Sequence, residues 1–97
     1  MQHSEARIAL DSPGRYLGQL CKHFAHKLPV TLEETRGSIA FPMGICRLEA
    51  AEGLLVLQAE ADGTEALERL QEVVARHLLR FAFRAPPEIK WLPREAG

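Results

Sequence analysis

The sequence has almost no excess charge: 12 Lys and Arg face 13 Asp and Glu, for a formal net charge of −1. A general nucleic-acid binder gathers basic residues on one surface to neutralise phosphates, so nucleic acid is not an expected partner. Long apolar runs are also missing. The longest, Leu54-Leu55-Val56-Leu57, falls far short of the ~20 residues that cross a bilayer, and no membrane insertion is expected. Met1-Gln2-His3-Ser4-Glu5 lacks the charged-then-apolar pattern of an export signal, which makes the cytoplasm the expected location. Cysteine is scarce. Cys21 and Cys46 stand on separate predicted elements with no CxxC pairing, the pattern of two reduced thiols acting as small core hydrophobes. Catalytic signatures are absent as well. Ser4, Ser12 and Ser38 have no nucleophile-elbow context, no glycine-rich phosphate loop is present, and no isolated carboxylate pair suggests an acid/base dyad. A stand-alone enzyme is the least supported class.

What is present suits a folded domain. Ninety-seven residues, 46% hydrophobic and 26% charged, are ordinary for one globular unit with its own core. The expectation is a single domain over 1–97, with the core within 4–92 and a frayed tail from Pro93 to Gly97.

Periodicity sets the elements. Ala6, Ile8 and Leu10 alternate with polar neighbours, predicting a strand over 4–10. Asp11-Ser12-Pro13 reads as a capping side chain followed by proline in the first turn. Leu17, Leu20, Cys21, Phe24 and Leu28 then recur at helical spacing, predicting a helix over 13–27 stopped by Pro29. Short strands follow: Val30 to Leu32, Ser38 to Phe41 after a tight turn at Arg36-Gly37, Ile45 to Ala50, and Leu54 to Ala61 after Glu52-Gly53. Turns this short make neighbouring strands antiparallel. Asp62 and Glu65 form a capping-box variant ahead of Leu67, Leu70, Val74 and Leu78, which predict a helix over 63–82. Pro86-Pro87 breaks the chain before a short strand at Glu88 to Trp91. The order β-α-β-β-β-β-α-β, with one apolar stripe per helix, predicts an α+β two-layer sandwich. Both helices pack on one face of a largely antiparallel sheet.

Three clusters carry the chemistry. On the first helix, taking Leu20 as the centre of the apolar face and ~100° per residue, Cys21 points to one flank. His23 lies about 60° and His26 about 120° to the other side. The two histidines share a spacing that can bind a metal, but they lack a third ligand. Tyr16 and Lys27 stand beside His23, so an anion or an acidic protein surface is the alternative partner. His77 falls on the apolar stripe of the second helix, where a histidine bonds a core neighbour or lines a pocket. If the helices pack side by side, His77 approaches His23 and Tyr16. In Arg76 to Arg84, arginines alternate with aromatics, a pattern also used for base stacking. The helical spacing favours a core stripe with a solvated arginine flank.

Arg15-Tyr16-Leu17-x-Gln19-Leu20-Cys21-Lys22-His23-x-x-His26-Lys27 resembles the first-helix signature of a small bacterial family, domain of unknown function 2218. Glu34-x-Arg36-Gly37-x-Ile39-x-Phe41 is similar too, as is His77-Leu78-x-Arg80-Phe81-Ala82-Phe83-Arg84 with Trp91 beyond. Phe24 stands where the family carries tryptophan. The resemblance implies a bacterial protein with a compact α/β fold and no established activity. It also implies a setting beside siderophore-interacting, flavin-binding reductases, and so a context of iron handling.

The leading expectation is a non-catalytic binding or accessory module for a small anionic ligand or a protein partner. Its candidate residues are Arg15, Tyr16, Lys22, His23, His26, Lys27 and His77. The first alternative is a metal or haem site on His23 and His26. The second is a structural homodimer that associates through a sheet face or edge. No cofactor is named by the residues themselves.

Overall fold

The structure, a computed structural model, describes residues 1–94. The elements run β1 (Gln2–Ala9), α1 (Pro13–Phe24), β2 (Val30–Leu32), β3 (Arg36–Phe41), β4 (Gly44–Ala51), β5 (Leu54–Ala61), α2 (Thr64–Phe81) and β6 (Leu92–Arg94). One six-stranded sheet in the order β2-β3-β4-β5-β1-β6 collects all the strands. Every pairing in it is antiparallel. The expected α+β architecture, two helices on one face of an antiparallel sheet, is the architecture observed.

Alternation explains which face the helices cover. Ala6 pairs with Leu57 and Ile8 with Leu55, and Leu57 in turn pairs with Leu48. All five are buried and share one face. Leu17, Leu20 and Cys21 of α1, with Leu67, Leu70, Val74 and Leu78 of α2, complete the core from the helix side. A fully buried leucine or isoleucine is worth about 1.5–3 kcal/mol, so this layer supplies most of the driving force. Ser4 is the one buried polar residue among the described residues. Its hydroxyl donates to Gln71 Oε1 at 2.6 Å and ties β1 to α2, so burial leaves it satisfied.

The boundaries differ from the expected ones in instructive places. Helix α1 stops at Phe24 rather than at Lys27. Pro29 disfavours helical backbone at Leu28, and the chain leaves through a turn in which the Lys27 and Leu28 amides both donate to the Phe24 carbonyl. Arg36 and Gly37 belong to β3. The turn lies one step earlier, where the Glu33 amide donates to the Arg36 carbonyl at 2.7 Å. Neither expected side-chain cap forms. Ser12 adopts a left-handed conformation (φ 57°, ψ 55°) that turns its hydroxyl away from the first helical amides, and Gly63 rather than Asp62 caps α2. The last strand is not Glu88 to Trp91 but Leu92 to Arg94, paired with His3 to Glu5. Pro93 is tolerated because β6 is an edge strand that needs no outward donor. Pro93 and Arg94 are therefore part of the sheet rather than of the expected tail, and residues 95–97 lie outside the described residues. No helix among the described residues is long and apolar enough to cross a membrane.

Candidate functional site

Both helices rest on one layer, and their flanks meet in a seam. The helical flank that carries Tyr16 and His23 on α1 faces the C-terminal half of α2. The His23 and His77 rings lie 5.0 Å apart between centroids, and His23 meets Phe81 at 5.7 Å, edge to face. Phe24 closes the cluster from below, 4.8 Å from His77 and 4.9 Å from Phe41 of the sheet. The sequence-derived approach of His77 to His23 is therefore realised.

His77 is half-buried, and its Nδ1 lies 2.7 Å from the Val73 carbonyl. A carbonyl only accepts, so Nδ1 carries the proton and Nε2 is the nitrogen left for a proton or a ligand. His23 is exposed. Its pKa lies below the ordinary 6.5, first through partial desolvation and then through His77, Arg80 and His26. A cationic surrounding of this kind resists further positive charge.

Farther along the seam Arg15, Tyr16, Phe81, Ala82, Phe83 and Arg84 line a concavity of about 330 Å³. Phe83 and Arg84 stand on the turn that follows α2, outside its helical register. Phe83 is 68% exposed, and the Arg84 guanidinium sits 5.7 Å from the centre of its ring, within cation–π range. The first turn of α1 borders the same hollow. It holds no acidic residue and no side-chain cap, but Pro13 has no N–H and the Arg15 amide already donates to the Ser12 carbonyl at 3.0 Å, so few of its amides are left to face the hollow.

Two stretches of the chain are free of acidic residues, and they supply the seam's cations, Arg15 and Arg84 at the hollow and Arg80 near His23. No acidic residue occurs between Asp11 and Glu33, or between Glu72 and Glu88. Those stretches hold Arg15, Lys22, Lys27, Arg76, Arg80 and Arg84, six of the chain's 12 lysines and arginines. Among the described residues none of the six has a carboxylate within 4 Å. A near-neutral chain thus carries a locally cationic seam.

Of the residues singled out in the sequence, the structure brings Arg15, Tyr16, His23 and His77 along one seam. Lys22 is exposed near the end of α1, and His26 and Lys27 are exposed on the turn beyond it. Among the described residues no three His, Cys, Asp or Glu side chains stand close enough to hold a metal ion. Phe81, Phe83 and Arg84 fall within the Arg76 to Arg84 cluster but not among the candidate site residues, because the helical spacing there favours a core stripe with a solvated arginine flank. The cysteines stay apart from this chemistry. Both are free and fully buried; burial raises the Cys21 pKa and pushes Cys46 up to about 12, so neither is a thiolate nucleophile.

A second concavity, of about 300 Å³, lies on the helix-free face of the sheet and is lined by Thr31, Glu33, Arg36, Arg47, Glu49 and Gln58, among others. Its arginines are already paired, Arg36 with Glu49 at 3.4 Å and Arg47 with Glu60 at 3.6 Å, and Glu33 adds a further carboxylate.

A family model described as "Uncharacterized protein conserved in bacteria (DUF2218)" matches residues 5–92. Among solved structures, the NMR structure of PA4090 from Pseudomonas aeruginosa is similar, with 35% sequence identity and a TM-score of 0.83. That alignment covers 99% of this chain and 100% of the other. No curated protein matches.

Proposed function

The chain belongs to the bacterial family DUF2218, which names no chemistry, and from its surface we propose that it is a binding module for a small anion held in the α1–α2 seam. One observation carries this reading: a concavity flanked by Arg15 and Arg84, with no matching carboxylate among the described residues. A pair of guanidinium groups is suited to bidentate recognition of carboxylate or phosphate. His77, with Nδ1 committed to Val73, offers Nε2 to the far end of the seam. The hollow's size lies at the lower end of the range of small-molecule sites, which suits a compact ligand better than a protein partner. Nothing in the seam is specific to iron or haem.

The test is an amide-resolved NMR titration with inorganic phosphate. Shifts confined to Gly14–Tyr16 and Phe81–Arg84, lost in Arg15→Gln/Arg84→Gln, are expected. Changes scattered over the whole surface, or none at millimolar phosphate, would overturn the reading.

A further inference from the structure

We infer that the anion taken by the seam carries a planar aromatic ring. This rests on the anion reading above and adds the chemical class of the ligand. The hollow has two kinds of wall. Arg15 and Arg84 supply charge, and Tyr16, Phe81 and Phe83 supply ring faces and edges. A bare inorganic anion would occupy only part of about 330 Å³ and leave the rings against water. A ring bearing one carboxylate or phosphate engages both walls at once.

Phe83 is the residue that makes the case. It lies 68% exposed on a turn, so no core packing accounts for an aromatic side chain there. Its ring stands 5.7 Å from the Arg84 guanidinium, which places a ring-stacking surface and an anion-binding group side by side. Phe81 is half-buried and held against His23, giving a fixed wall opposite a more exposed one. An aromatic contact adds to the apolar burial of the ring, so an aryl anion is expected to bind roughly tenfold more tightly.

The experiment compares four probes on the intact chain by NMR titration: phenyl phosphate, benzoate, inorganic phosphate and cyclohexanecarboxylate. The expected result is that the two aryl anions bind about tenfold more tightly than inorganic phosphate and cyclohexanecarboxylate. Phe83→Ala, at an exposed position, removes that preference while inorganic phosphate binding persists, and Phe83→Tyr restores it. The aryl anion that binds better identifies carboxylate or phosphate as the acid group. Equal affinity for aryl and inorganic anions would overturn the aromatic inference and leave the anion reading standing. Failure of all four probes would overturn both.

Discussion

The hollow on the sheet face and the hollow in the helix seam are close in size, about 300 and 330 Å³, but opposite in electrical design. On the sheet face each arginine is answered by a glutamate, Gln58 donates to Glu5 at 3.0 Å, and the Thr31 and Ser38 hydroxyls bond each other at 2.7 Å. In the seam the arginines stand without carboxylates, and one helix end is left uncapped. Cross-strand pairing accounts for the first pattern: Arg36 lies directly opposite Glu49, Gln58 opposite Glu5 and Thr31 opposite Ser38, while Arg47 reaches Glu60 on the diagonal. No such register operates between two helices from distant segments, so the arginines there are left to water or, on the anion reading proposed above, to a ligand. Polarity alone does not distinguish the two surfaces; completeness does.

The largest expected effect acts where the sheet hollow meets the core-facing side of α1. Gly37 borders the sheet hollow on one side, and on the other a Cβ would meet Cys21 Sγ of α1 at 2.6 Å. Cys21 is fully buried and cannot yield cheaply. Gly37→Ala is therefore expected to cost about 1–3 kcal/mol in denaturant unfolding and to shift the α1 amides. An unchanged midpoint would show that α1 rides loosely on the sheet.

A more pointed variant makes the sheet face resemble the seam. Glu49→Gln/Glu60→Gln leaves Arg36 and Arg47 unmatched, and the sheet hollow is expected to gain phosphate-dependent shifts at Thr31 and Ser38. The expected gain is about tenfold, or ~1.4 kcal/mol. If no binding appears, unmatched charge is insufficient, and the shape of the seam carries the recognition.

The smallest effect is in pH. His23 binds its proton less readily in the folded chain than in the unfolded one, first because it is partly desolvated and then because His77, Arg80 and His26 stand near it. The unfolded state then holds more protons as pH falls below the ordinary 6.5. Its share of stability is present above that value and is lost as pH falls through the lowered range. A slightly lower melting temperature at pH 5.5 than at 7.5 is expected, with part of the difference removed in His23→Gln. Sulfate, which does not titrate here, is expected to bind somewhat more tightly at the lower pH. A slope identical in His23→Gln would separate the histidine from both effects.

The layers and strand directions were legible because apolar periodicity reports burial directly. Leu55 and Leu57 on one side, and Leu70 and Val74 on the other, could only face each other. Chain ends and turns were less legible. Glu33 to Thr35 hold neither glycine nor proline, so their turn was displaced onto Arg36-Gly37, and a proline in β6 argued against a strand that pairs regardless. Half of the seam was visible as a flank of α1 carrying Tyr16 and His23. The other half depends on where α2 ends. Once the helix stops at Phe81, Phe83 and Arg84 follow a turn geometry that no 3.6-residue period describes.

The two outer strands of the sheet, β2 and β6, are each three residues long, while β1, β4 and β5 in its interior run to eight. Pro29 precedes one edge and Pro93 sits within the other. A neighbouring chain that tried to extend the sheet would find few free amides at either side. β4 and β5 are sealed between partners, β6 covers β1 along His3–Glu5, and the margins left open are too short to template a stack. The chain is thereby guarded against growing edge to edge into fibres, and contacts with a second copy are steered toward its broad faces.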